Sequence, residues 1–279
     1  MTDTDLDPRF GPDPGTGVAP RDFITTFARG LGVIRAMTER PGAMSLGEVA
    51  DAVGISRPAA RRFLLTLLAL GYATEEAGRF DLTPRVLELG YAYLSGLALP
   101  QLALPHLERL AGDLGQSAAL AVMDGTDVVY LARVPSRRLM RVQINVGTRL
   151  PAHLTSMGRV MLAAFSEDQL EHYLAGADLS ARTAKSLHGK KALLAELRRV
   201  REAGYALVEG ELDEDIRGIA VPVHNAHGDV VAAANASIHV PDSARDTITT
   251  TILPRLQAAA NDLERELRLL PRDAAGASR

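Results

Sequence analysis

The 279-residue chain contains no cysteine. That absence removes disulfide frameworks, thiolate zinc fingers, iron–sulfur clusters and cysteine nucleophiles together. No apolar run approaches the ~18–20 residues that span a bilayer. The opening MTDTDLDPRFGPDPGTGVAP is acidic and rich in proline and glycine, without a signal peptide's basic start and apolar middle. A soluble, cytoplasmic protein is expected. Excess charge of one sign is missing too: 31 Lys plus Arg stand against 34 Asp plus Glu. That balance excludes a histone-like positive coat but not a small basic face, since local clustering sets the field at a binding surface. Common enzyme signatures are also lacking. There is no Gly-x-Ser-x-Gly elbow, phosphate-binding Gly-x-x-x-x-Gly-Lys loop or dinucleotide Gly-x-Gly-x-x-Gly, and no nucleophile–base pair stands out. Gly30-Leu31-Gly32 lies in a helical pattern with no strand before it.

What is present is ordinary for a globular protein: 47% hydrophobic and 23% charged residues. A prior of one domain per ~150 residues gives two domains. The pattern along the chain divides it into a disordered lead-in (1–20), a helical domain (21–83), a linker helix (84–100), a mixed domain (101–270) and a tail (271–279).

The helical domain punctuates itself. Phe23, Phe27, Leu31, Ile34 and Met37 recur at helical spacing until Pro41-Gly42. Ser45 caps a short helix over 46–52, Val53-Gly54-Ile55 makes a tight turn, and Ser56 caps a third helix to Leu70, with Pro58 in its first turn. Residues 72–75 and 79–82 read as a hairpin, and Thr83-Pro84 starts a fourth helix through Leu87, Leu89 and Leu94. Helix, short helix, turn, helix and wing is the order of a winged helix-turn-helix. Between Asp51 and Glu75 no acidic side chain occurs, while Arg57, Arg61 and Arg62 stand within two turns of the third helix. Phe63, Leu64, Leu67 and Leu70 are expected to form its buried face. Ser56, Arg57, Ala59, Arg61 and Arg62 are therefore the candidate DNA contacts in a major groove, with Arg79 at the wing tip for a backbone or minor-groove contact.

In the mixed domain, strands are expected at 117–123, 127–133, 139–146, 205–209, 216–223 and 230–238. Helices start at Thr155 or Ser156, at Ser166 and at Lys190, and a last one covers 243–270, with Ile248, Ile252, Leu256, Leu263 and Leu267 on one side. A mainly antiparallel sheet with helices against it gives an α+β sensory architecture. From Val128 to Ser166 no acidic residue occurs among Arg133, Arg137, Arg138, Arg141, Arg149 and Arg159. The bias reverses at Glu202, Glu209, Glu211, Asp213, Glu214 and Asp215. Two readings stay open. The helix start Thr155-Ser156-Met157 and nearby guanidiniums could hold a small carboxylate, or the two charge runs could pair with each other across a surface or a subunit boundary. Asn235 and Ser237 share one face of an apolar strand and need partners. His224 and His227 flank a turn without a third ligand, so neither metal nor cofactor is expected.

These residues carry a resemblance. Residues 27–71, with Val53-Gly54-Ile55-Ser56-Arg57-Pro58-Ala59-Ala60-Arg61-Arg62-Phe63-Leu64, resemble the N-terminal domain of IclR-family transcriptional regulators. Residues 146–163, with Leu154-Thr155-Ser156-Met157-Gly158, and residues 215–223 resemble the ligand domain of that family. Residues 89–95 and 130–138 resemble its aromatic-catabolism branch, the PcaR, PcaU and PobR type. The resemblance implies a winged helix-turn-helix joined by a helix to a GAF-like α/β effector domain, and a homodimer or homotetramer on double-stranded operator DNA. It further implies a small carboxylate effector from protocatechuate, 4-hydroxybenzoate or β-ketoadipate metabolism. Carried onto this sequence, the family pocket comprises Ser156 and Met157 beside Thr155, Gly218, Ala220 and Pro222, and Asn235 and Ser237. An acidic member would be Glu211 or Asp213. The cysteines many members carry near Gly218 are absent. The competing readings are a constitutive DNA-binding protein whose second domain only oligomerises, and a small-molecule hydrolase or transferase with an appended helical domain.

Overall fold

The computed structural model describes residues 18–40, 42–89, 98–136, 144–239 and 245–269. Two compact units divide between residues 93 and 94. In the first, α1 (Thr25–Glu39), α2 (Leu46–Val53) and α3 (Arg57–Leu70) are followed by strands β2 (Ala73–Glu76) and β3 (Arg79–Leu82). A two-residue strand β1 (Met44–Ser45), absent from the sequence expectation, adds to β3 through Met44 opposite Phe80. Local chemistry sets these boundaries. Ser45 and Glu48 form a reciprocal capping box on α2, and its Ser45 hydrogen bonds hold the Glu48 carboxyl below its ordinary pKa. Gly54 closes α2 in the left-handed region at φ 70°, which a Cβ would disfavour. Ser56 caps α3.

Val33, Met37, Val49, Val53, Leu64 and Phe80 are buried together in one core. One expectation needs correction. Leu70 is 53% exposed rather than inward, because the turn at Gly71 ends the helix before Leu70 meets the core. The helix expected from Thr83-Pro84 starts there: Thr83 caps a 3-10 turn at Pro84–Leu87 that passes into α-helix at Glu88 and Leu89; Leu87 and Leu89 are exposed, and residues 90–97 lie outside the described residues.

The second unit opens with α4 (Ala98–Leu114), which answers to no expectation above; Pro105 at its centre disguises it as a break. Next come β4 (Ser117–Asp124), β5 (Asp127–Val134), β6 (Arg149–Pro151), a 3-10 turn (Ala152–Leu154), α5 (Ser156–Ala164), α6 (Glu167–Gly176) and α7 (Gly189–Ala203). Strands β7 (Ala206–Glu209), β8 (Ile216–His224) and β9 (Val230–His239) precede α8 (Leu253–Leu267). A helical turn at Arg245–Thr247 and a π-helical stretch at Ile248–Ile252 lead into α8. Ile248, Ile252, Leu256, Leu263 and Leu267 are its buried side. The strand expected over 139–146 is not found at 144–146, and 137–143 lie outside the described residues; β6 takes the edge instead.

The sheet is antiparallel, in the order β6-β5-β4-β9-β8-β7. One face, with Leu120, Ile219, Ala234 and Ile238, packs on α4 and α8. The other, with Ala119, Ala121, Tyr130, Ala220 and Ala233, packs on Met157 and Met161 of α5 and Leu197 of α7. No described helix is long and apolar enough to cross a membrane.

Candidate functional site

In the first unit the Ser56 hydroxyl accepts from the half-buried Ala59 N–H at 3.4 Å, fixing the start of α3. Arg61 and Arg62 are exposed on the helix that begins there. Arg57 lies back against Gly47 of α2. Arg79 does not extend from the wing. Its guanidinium donates to the Ala43 carbonyl and, at 3.2 Å, to Glu48, and so ties the hairpin to β1 and α2. Exposed arginines past a capped helix start suit insertion into a major groove. Phe27 and Leu31 leave an apolar stripe on α1, 67% and 45% exposed.

The second unit gathers most of the remaining candidates on one sheet face. Gly218 pairs with Ser237, Ala220 with Asn235 and Pro222 with Ala233. Ala220 and Ala233 belong to the α5 side, so all six positions share it. From the helix side, Ser156 Oγ comes within 2.9 Å of where a Cβ on Gly218 would lie. Gly158 is held closer still: its Cβ would lie 2.1 Å from the Ala152 carbonyl oxygen, so the backbone folds onto itself at the start of α5. The Thr155 hydroxyl is spent on this elbow, accepting from Gly158 N–H at 3.0 Å and donating to Ala152 O. Asn235 is 4% exposed; its Nδ2 donates to Ser237 Oγ at 3.1 Å while Oδ1 meets no partner. Turning the amide over only changes which end is left unpaired. A buried amide with an open valence, facing a floor of alanine and glycine, is an arrangement that accepts a small polar ligand.

Residues 26–77 match the IclR helix-turn-helix domain, and residues 91–265, more than half the chain, match the bacterial transcriptional regulator IclR C-terminal domain. The chain belongs to the IclR family. The Pca regulon regulatory protein of Pseudomonas putida is 43% identical over 247 residues, covering 88% of this chain and 85% of that one. The p-hydroxybenzoate hydroxylase transcriptional activator of Acinetobacter baylyi is 32% identical over 257 residues, covering 90% and 95%. The crystal structure of an IclR homologue from Microbacterium hydrocarbonoxydans, complexed with 4-hydroxybenzoate, superposes with a TM-score of 0.76 at 25% identity over 87% of this chain and 98% of that one. This IclR-family chain is a transcriptional regulator and not an enzyme.

The two charge runs meet inside the regulator. Arg159, 1% exposed, donates to Glu211 at 2.6 Å and to the His153 carbonyl at 2.9 Å, with Glu196 at 3.8 Å. Glu211 also accepts from Leu187 N–H at 2.7 Å. The pairing reading holds for these two residues, in the interior rather than across a surface. Arg149 is taken by Asp124 and Asp127, and Asp213 holds its own loop at Asp215 N. Arg137, Arg138 and Arg141 lie outside the described residues.

Arg133 was missed as an individual site residue. It pairs with Ala119, which pairs with Asn235, so all three stand in one row. It donates to the Ile144 carbonyl at 2.7 Å, and burial draws its pKa down. Tyr130 stands on the same face because a bulge at Leu120/Ala121 shifts the register. Burial pushes its hydroxyl up to about 12, against the opposing pull of Arg133. His224 has a structural use: its Nδ1 meets Glu264 of α8 at 2.7 Å. No cluster of metal-ligating residues occurs among the described residues.

Proposed function

We propose that this regulator binds an operator through α3 and releases or remodels it when a small aromatic carboxylate binds between α5 and the sheet. The observation that carries the effector reading is the convergence of Ser156, Gly218 and the open amide of Asn235 over a floor of small side chains. Arg133 in the same row supplies a cation for the carboxylate, while Met157 and the alanines shelter a ring. Two relatives that by name govern the Pca regulon and p-hydroxybenzoate hydroxylase, and a homologue holding 4-hydroxybenzoate, support an aromatic acid of that kind. The effect on DNA must come from unequal binding to two arrangements of the protein, because equal binding shifts nothing.

Calorimetry with 4-hydroxybenzoate tests this. The variant Ser156→Asp puts a fixed negative charge beside Gly218; it is expected to lose the acid while still binding operator. Unchanged affinity for the acid would move the anion site elsewhere.

Self-association belongs to the same proposal. One winged domain buries little DNA surface, two copies double the contacts, and the Phe27–Leu31 stripe offers a face for a second copy. A light-scattering mass of one 29.8 kDa chain with operator binding intact would refute it.

A further inference from the structure

The exposed side of α3 carries a large apolar side chain among its charges. Ala60, Leu64 and Leu67 recur at helical spacing and are buried. Leu68 leans on the same core. Leu65 does not belong to that stripe. It stands four residues past Arg61 and three past Arg62, and such neighbours meet on one helix surface. Arg61 and Arg62 are both exposed, and Leu65, between them around the helix and one turn further on, is 39% exposed.

A single surface leucine needs no explanation in itself; the place of this one does. No acidic side chain occurs between Asp51 and Glu75, so Leu65 lies within a face of one sign. Thr66, exposed beside it, donates its hydroxyl to the Arg62 carbonyl at 2.8 Å. Neither residue of this turn therefore has a side-chain hydrogen to give to a base or a phosphate.

What an apolar side chain can meet in a major groove is narrow. Base edges there present hydrogen-bonding groups and one apolar group, the 5-methyl of thymine. A leucine set against a polar edge would strip its water and return no hydrogen bond. Against a thymine methyl, both partners leave water at a gain. Four residues advance an α-helix by ~6 Å, and successive base pairs rise by ~3.4 Å, so such a thymine would lie within about two base pairs of the base that Arg61 reads.

We propose that Leu65 is a specificity-determining residue, reading the 5-methyl of a thymine next to the bases contacted by Arg61. The proposal rests on the reading that α3 enters the major groove. The test begins with duplexes selected from a random pool by the full chain as wild type, Arg61→Ala and Leu65→Ala. Single thymines of the wild-type duplex are then replaced by deoxyuridine, which lacks only the methyl, and binding is followed by fluorescence anisotropy. One replacement is expected to weaken the wild type by about fourfold, the ratio for one buried methyl, and to leave Leu65→Ala unaffected. In selection, Arg61→Ala should lose a guanine preference, while Leu65→Ala should keep that guanine and lose the thymine beside it. A wild type indifferent to deoxyuridine at every position would overturn the proposal. If Arg61→Ala loses its guanine but Leu65→Ala stays fully sensitive to deoxyuridine, α3 enters the groove and the role of Leu65 alone is refuted. If neither variant alters the selected sequence, the groove reading of α3 fails and this proposal with it.

Discussion

Ser156 on α5 and Gly218 on β8 approach so closely that Ser156 Oγ stands 2.9 Å from the place of a Cβ at 218. Residue 218 thereby sets how near the helix start comes to the sheet. Gly218→Ala pushes against a short, movable side chain, so the fold should survive while the proposed effector face narrows. About tenfold weaker 4-hydroxybenzoate binding is expected by calorimetry, with operator affinity unchanged. An unaltered isotherm would separate this contact from the effector site.

Two glycine-to-alanine changes should have opposite signs. At Gly158 the new methyl meets backbone atoms of Ala152 at 2.1–2.5 Å, and backbone cannot step aside. A loss of about 3 kcal/mol or more is expected. Gly112, exposed within α4, has nothing within 4 Å of its added Cβ; there alanine should gain ~0.5–1 kcal/mol by restricting the unfolded chain. Urea denaturation of both variants checks the contrast.

The buried Arg159–Glu211 pair makes a further case. Arg159→Ala leaves Glu211 as an uncompensated interior carboxylate, and a cost of ~3–5 kcal/mol is expected. In Arg159→Met with Glu211→Gln the charge is gone and Leu187 N–H keeps an acceptor, so the double variant should be more stable than Arg159→Ala alone. A double variant as unstable as that single one would mean that packing, not charge, holds the elbow.

On DNA, Arg61→Ala and Arg79→Ala should separate. A base contact from the exposed Arg61 is worth ~1–3 kcal/mol of discrimination, so its loss should weaken operator binding more than random-sequence binding. Arg79 is engaged by Ala43 and Glu48; its removal loosens the wing and should weaken both DNAs alike. Fluorescence anisotropy with the two duplexes measures this directly.

His153 gives a pH dependence with a definite sign. Its folded pKa lies below the ordinary 6.5, chiefly through burial. The unfolded chain therefore takes up the proton first. The stability from keeping this ring neutral is present above pH 6.5 and is lost as pH falls through the lowered folded value. His153→Gln should flatten the acid side of the stability curve. A curve of unchanged slope would show that other groups govern it.

Much of this protein is local and was therefore legible in the sequence. Ser45, Gly54 and Ser56 place the helix-turn-helix within a residue or two, because caps and left-handed turns depend on the nearest neighbours. Alternation put Asn235 and Ser237 on one strand face, and the motif around Thr155 marked a helix start. Tertiary structure decided what those residues meet. Arg159 and Glu211 lie 52 positions apart, and no spacing rule says whether two charge runs face a ligand or each other. Simple alternation would send Tyr130 and Arg133 to opposite faces; a bulge brings them to the same one. Arg79 lies at a wing tip in the sequence, yet it turns inward because a carbonyl and a carboxylate 36 and 31 residues away stand within reach. Periodicity fixes which side of an element is buried, but which groups stand opposite is set only when the chain has closed upon itself.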